Sequence, residues 1–160
     1  MPNTSAKGSE LERWARYTLE ERGYLVHRTV RTPVVRGGRV IGSNPCDIFG
    51  AYDLIALGQG MCRFIQVTTL GEVRKRQRKV AVATSQHMPA GDCVTSEVWA
   101  WVGGRGTRVL GGREVAAQSF RVTYLDGAEW VEAGALRACK RPVRDVGPAP
   151  DELEEGDAAP

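Results

Sequence analysis

The sequence is poorly equipped for soft-metal chemistry. It holds two histidines, His27 and His87, and four cysteines, Cys46, Cys62, Cys93 and Cys139, set far apart with no Cys-x-x-Cys pair. Zinc centres use closely spaced ligand pairs of these residue types, so the spacing argues against one and predicts reduced, mostly buried thiols. No run of about 18 apolar residues occurs, which predicts no membrane span. The opening segment, MPNTSAKGSE, lacks the apolar stretch of a signal peptide, which points to the cytoplasm. Internal repeats and heptads are absent. The glycine-rich GGRGTRVLGGR of residues 103–113 has neither the Lys-Ser/Thr ending of a phosphate-binding loop nor the strand-to-helix setting of a dinucleotide fingerprint, so no small-molecule cofactor is expected.

What remains suits one globular domain. The 160 residues are 42% apolar and 26% charged, enough chain to bury a core. The net charge of +3 hides a division. Of the 22 basic and 19 acidic residues, one base (Arg144) and six acids (Asp145, Asp151, Glu152, Glu154, Glu155, Asp157) fall in 143–160, leaving residues 1–142 near +8. Such a body suits a polyanionic partner. The expected organisation is a flexible N-terminus (1–8), a folded domain (9–141) and a disordered acidic tail (142–160). The tail either solubilises the chain or weakly shields its basic face.

The chain is organised around residues 51–69, AYDLIALGQGMCRFIQVTT. Two apolar runs, Tyr52–Leu57 and Met61–Val67, flank Gly58-Gln59-Gly60 and read as a β-hairpin covered on both faces. Asp53 begins the first strand. Gln66 and Thr68 end the second, two residues apart and so on one face. Upstream, Leu11, Trp14, Ala15, Thr18 and Leu19 follow helical spacing in a first helix from about Ser9 to Arg22, with Gly23 as its C-cap. Ser9-x-x-Glu12 matches a capping box, so Glu12 is either a helix-capping or a functional acid.

Tyr24–Val30 reads as a strand, and Val34-Val35 with Val40-Ile41 as a small hairpin turned by Gly37-Gly38. Arg36 and Arg39 flank that turn, as a nucleic-acid-binding tip or a solvated loop. Asp47 precedes the central hairpin closely enough to approach Asp53. After Thr69 a helix spans about Glu72–His87, with Arg74, Lys75, Arg76, Arg78 and Lys79 crowded into its first turns. Five bases with one acid repel one another unless an anion is near, which favours phosphate contact. Glu97–Val102 is a strand, Phe120–Leu125 and Glu129–Val131 form a hairpin around Asp126-Gly127, and Ala133–Lys140 reads as a short helix. One of Trp99 and Trp101 at least belongs to the core. The expected fold is α/β, a mixed sheet flanked by helices.

The segments KGSELERWARYTLEERGYLVHR, YDLIA and FIQVTT resemble the archaeal-type Holliday junction resolvases, members of the PD-(D/E)XK nuclease superfamily with a restriction-endonuclease-like fold. The chain is also similar to phage and prophage proteins carrying DIFG-x-x-DLIA and QVT segments before an Arg/Lys-rich helix. The resemblance spans roughly residues 6–82. It implies that Lys7-Gly8 is the family's opening, Glu12 its helix glutamate and Asp53 its metal-binding aspartate. Gln66 stands where the resolvases have glutamate; methyl-directed restriction nucleases use glutamine there. Thr68 stands where the family has lysine, and a hydroxyl supplies no positive charge.

The implied activity is metal-dependent DNA cleavage, on branched or recombination DNA among others, by a homodimer in the bacterial cytoplasm if phage-encoded. Catalytic residues are then Glu12, Asp53, Gln66 and Thr68. Mg²⁺ (or Mn²⁺) falls to Asp53 and Gln66 with Glu12 or Asp47, and Lys75 or Lys79 is a candidate for the missing cation. Arg36, Arg39, Arg74, Lys75, Arg76, Arg78 and Lys79 are the DNA-binding set. The alternatives are a catalytically inactive nuclease-fold DNA-binding or regulatory module, and a purely structural polar cluster.

Overall fold

The computed structural model describes residues 4–29, 32–44, 47–87, 92–110 and 112–142. The acidic segment 143–160 and Cys46 lie outside the described residues. Helix α1 (Thr4–Glu20) starts upstream of the expected Ser9. No proline interrupts residues 4–9, and Gly8 costs a helix only about 1 kcal/mol, too little to end it. Ser9 and Glu12 therefore sit inside the helix rather than in a capping box, and residues 4–8 form its first turns. Leu11, Ala15, Thr18 and Leu19 are buried, as their spacing predicts. The helix closes with Gly23 in the left-handed region (φ 80°); its amide bonds the Glu20 carbonyl and the Tyr24 amide bonds that of Leu19, the two bonds of a Schellman motif.

The strands are β1 (Leu25–Arg28), β2 (Thr32–Arg36), β3 (Arg39–Asn44), β4 (Leu54–Gly58) and β5 (Met61–Thr69). A 3₁₀ turn (Leu70–Glu72) leads into α2 (Val73–His87), followed by β6 (Val94–Val102), β7 (Thr107–Leu110), β8 (Arg113–Ala116), β9 (Ser119–Asp126) and β10 (Glu129–Arg137). Six strands form one sheet in the order β1-β4-β5-β6-β9-β10. Every pairing is antiparallel except β5 with β6, the parallel pair that the α2 crossover makes possible. The central hairpin turns through Gln59-Gly60, both at positive φ (54° and 73°), with Gly58 opposite Met61. That is the φ pattern of a type I′ turn.

Successive residues alternate faces. Leu54, Ile65, Val67, Trp99 and Phe120 pack under α1, whereas Tyr52 and Val98 pack with Val80 and Ala83 of α2. The helices thus cover opposite faces of a mixed, mostly antiparallel sheet. Trp99 is fully buried, and Trp101 is wedged between Trp14 and Phe120 at ring-centroid distances of 5.0 and 5.2 Å. At the start of β5, Arg63 forms a two-pronged ion pair with buried Glu97 of β6, both contacts 2.8 Å, and Glu97 also accepts from Trp99 Nε1.

Two expectations at the C-terminal end are corrected. The last hairpin turns through Gly127-Ala128, one residue later than expected, with only Gly127 at positive φ, the type II′ pattern. Residues 133–137 continue β10 rather than forming a helix, because β9 offers a full-length partner and Gly134 (φ 115°) makes a bulge instead of a helical turn. The three described cysteines, Cys62, Cys93 and Cys139, are free as expected, but none is buried and Cys93 is exposed. The β2–β3 ribbon turns through Gly37-Gly38 as expected. Among the described residues no helix is long and apolar enough to cross a membrane.

Candidate active site at the end of the central strand

Strand β5 outruns its neighbour. Its pairing with β4 ends where Leu54 faces Ile65, while its pairing with β6 continues to Thr69 opposite Trp101. The exposed ladder position is taken by a side chain: the Val67 amide donates to Asp53 Oδ2 at 2.8 Å. Asp53 is locked there by its own backbone, whose amide bonds the Ile65 carbonyl (2.9 Å) and whose carbonyl accepts from the Thr29 amide (3.0 Å). The loop ahead of it, Asp47–Tyr52, is closed by a bridge between Ile48 and Tyr52, with Phe49 and Gly50 at positive φ. Tyr52, wholly buried, anchors the loop because its hydroxyl shares hydrogen bonds with the hydroxyls of Thr84 of α2 (2.8 Å) and Ser96 of β6 (2.9 Å).

Gln66 and Thr68 are both buried and share the α2 face of β5. Gln66 Nε2 hydrogen-bonds Asp53 Oδ2, whereas its Oε1 is buried without a partner. The Asp53 carboxyl is pushed up to about 7, chiefly by burial; the Val67 amide opposes this, the negative charges of Glu12 and Asp47 add to it, and Arg76 pulls the other way. Three acids therefore influence one another at this spot, one of them almost fully desolvated. Asp53 meets Gln66, Thr68 shares the face of β5 that carries Gln66, and Glu12 and Asp47 lie within electrostatic range of Asp53.

The basic residues divide. Arg74, Lys75 and Arg78 are exposed along α2, with Lys75 3.5 Å from Glu72. Lys79 pairs with Asp47 at 2.6 Å, so it ties α2 to the Asp47 loop rather than reaching Asp53. Arg36 and Arg39 face each other across the tip of the exposed β2–β3 ribbon. Arg76 turns inward. Its spacing from Val73 (three residues) and Val80 (four) puts it on the buried stripe of α2, a signal present in the sequence but masked by the run of bases around it. Lys7, Leu11, Val67, Thr68, Glu72 and Arg76 line an open cleft of about 470 Å³. The anchoring role of Tyr52 has no sequence signature beyond an aromatic beside an acid.

Among the described residues no three of His, Cys, Asp and Glu converge as a metal-binding group. Mg²⁺ needs less: it commonly keeps several waters and takes one or two protein oxygens plus substrate phosphate. Asp53 with the unpartnered Oε1 of Gln66, two oxygen donors, fits that requirement. Comparison with protein-family models, with curated proteins and with solved structures finds no match for this chain.

Proposed function

We propose that this chain is a metal-dependent DNA endonuclease that hydrolyses phosphodiester bonds at the Asp53 site. The observation that carries the reading is a buried carboxyl held near 7 and bonded to Gln66, whose amide oxygen is buried and unpaired, with the Val67 amide and the Arg76 charge that act on it belonging to residues of an open cleft. Perturbed acids in clefts mark functional sites. The element order is compatible with it: a helix, a strand, an added ribbon, the central hairpin, a basic helix and further strands, an α/β arrangement that nucleases share with other folds.

Asp53 and Gln66 would hold Mg²⁺ or Mn²⁺, with Glu12 and Asp47 as outer charges. When bound, such an ion neutralises charge on the phosphoryl oxygens and lowers the pKa of a water. Thr68, on the cleft wall, orients a water through its hydroxyl. The outward Arg74, Lys75 and Arg78 hold the DNA backbone, and the ribbon carrying Arg36 and Arg39 extends the basic surface. Cutting both strands calls for two such sites, hence a homodimer.

One observation favours a second reading, a catalytically inactive nuclease-fold module that binds DNA. Gln66 presents its N–H rather than its oxygen to Asp53, and Thr68 supplies no charge. Metal dependence separates the two. Branched, single-stranded and duplex DNA are incubated with Mg²⁺ or Mn²⁺, and affinity is measured in parallel with Ca²⁺. The endonuclease nicks at least one substrate only with Mg²⁺ or Mn²⁺. Salt-sensitive binding that ignores the metal, without nicking, establishes the inactive module.

A further inference from the structure

Buried polar atoms are nearly always hydrogen-bonded, so the exceptions carry information. Among the described residues two buried side-chain atoms lack a partner, Gln66 Oε1 and Arg76 Nε. One is an acceptor and the other a donor, they come from different elements, and both belong to groups acting on Asp53: Gln66 by a hydrogen bond, Arg76 by its charge. An unpartnered acceptor and an unpartnered donor around one carboxylate are what a ligand with both kinds of complementary group would satisfy, once the side chains turn to meet it. The same Arg76 lines the cleft beside Thr68, the position where the resemblance calls for a lysine.

We propose that Arg76 supplies the positive charge that Thr68 does not, donating from Nε to a non-bridging oxygen of a phosphodiester seated in the cleft. Gln66, next to the cleft residues Val67 and Thr68 in β5, keeps its Oε1 for a metal ion or its water. A guanidinium suits this relocation. It is permanently charged, presents several N–H donors in a rigid fork matched to phosphate oxygens, and tolerates burial better than an ammonium. The neighbours on α2 do not compete: Arg74, Lys75 and Arg78 face solvent, and Lys79 is committed to Asp47. The cation has moved from the strand to the helix, one turn beyond the end of β5, while keeping the cleft in reach.

The catalytic part rests on the endonuclease reading, so the test keeps the two apart. The full chain, labelled with ¹⁵N, is titrated without metal with a short DNA duplex while arginine Nε–Hε resonances are followed, that of Arg76 assigned from Arg76→Lys. The expected result is that Arg76 shifts together with Arg74 and Arg78. Single-turnover cleavage with Mg²⁺ then falls about 100-fold or more in Arg76→Ala, the usual effect of deleting one charge-stabilising donor, with Arg76→Lys intermediate. Arg74→Ala and Arg78→Ala lose affinity rather than rate. If Arg74 and Arg78 shift while Arg76 stays still, or if Arg76→Ala cleaves within about threefold of wild type, a margin far below that 100-fold effect, the inference fails and the DNA reading stands. If Arg76 shifts but wild type never cleaves, the phosphate contact stands and the endonuclease reading falls. If no arginine responds and no DNA is bound, both fall.

Discussion

Asp53 is a carboxylate held where its charge is costly. Its folded pKa, about 7, lies above the ordinary 3.8, so between those values the folded chain binds a proton that the unfolded chain releases. By linkage, stability then falls as pH rises through this window, and the full penalty is present above pH 7. In metal-free buffer the stability gain of Asp53→Asn over wild type should therefore be small near pH 4, grow through pH 5–7 and level off by pH 8 at about 2–4 kcal/mol. Urea unfolding at several pH values measures it; a pH-independent difference would show that the Asp53 carboxyl does not titrate in this range. Gln66→Glu extends the logic. A second carboxylate against Asp53 should lower metal-free stability by roughly 1–3 kcal/mol, a like-charge penalty, and Mg²⁺ should recover it at lower concentration than it acts on wild type. Thermal unfolding against Mg²⁺ reads both, and an unchanged Mg²⁺ midpoint would mean that position 66 is not a metal ligand.

The elements deliver these residues by simple means, and their legibility followed the strength of the local signal. The central hairpin was readable because Gln59-Gly60 sits between two apolar runs, and α2 because residues 73–87 contain no glycine or proline to break a helix. The start of α1 was not, because Ser9 and Glu12 form a persuasive capping pattern that a helix beginning at Thr4 simply overrides. Residues 133–137 were misread because their partner strand lies in β9, and pairing across a hairpin has no signature within the segment itself. Asp53 meeting Gln66 was readable from strand geometry; Arg76 and Lys79 were not told apart, since the same run of bases supplies the inward and the outward ones. The parallel β5–β6 pair is held at its far end by Arg63 and Glu97, a residue only 3% exposed that also accepts a hydrogen bond from Thr95 Oγ1 (2.6 Å). Arg63→Ala leaves Glu97 buried without its cation and should cost about 3–5 kcal/mol, while leaving the Asp53 site, at the other end of β5, able to bind metal. A loss below about 1 kcal/mol in denaturant titration would show that Trp99 and Thr95 satisfy Glu97 without Arg63.

At the scale of the whole molecule, the proposed DNA partner would meet basic side chains on three surfaces. The outer face of α2 carries Arg74, Lys75 and Arg78, the ribbon tip carries Arg36 and Arg39, and the cleft between α1 and α2 holds Lys7 and Arg76. Each phosphate contact contributes about 0.9 to the slope of log affinity against log salt. Neutralising Arg74, Lys75 and Arg78 together should therefore reduce that slope by about 2–3 in fluorescence anisotropy with duplex DNA, and an unchanged slope would remove α2 from the interface. The measurement closest to the central claim is nicking of supercoiled plasmid by wild type and Asp53→Ala, side by side, with Mg²⁺, Mn²⁺ or chelator. The account predicts cleavage by wild type only, only with metal, and retained DNA binding by Asp53→Ala. Equal cleavage by both proteins, or none by wild type with either metal, would contradict it.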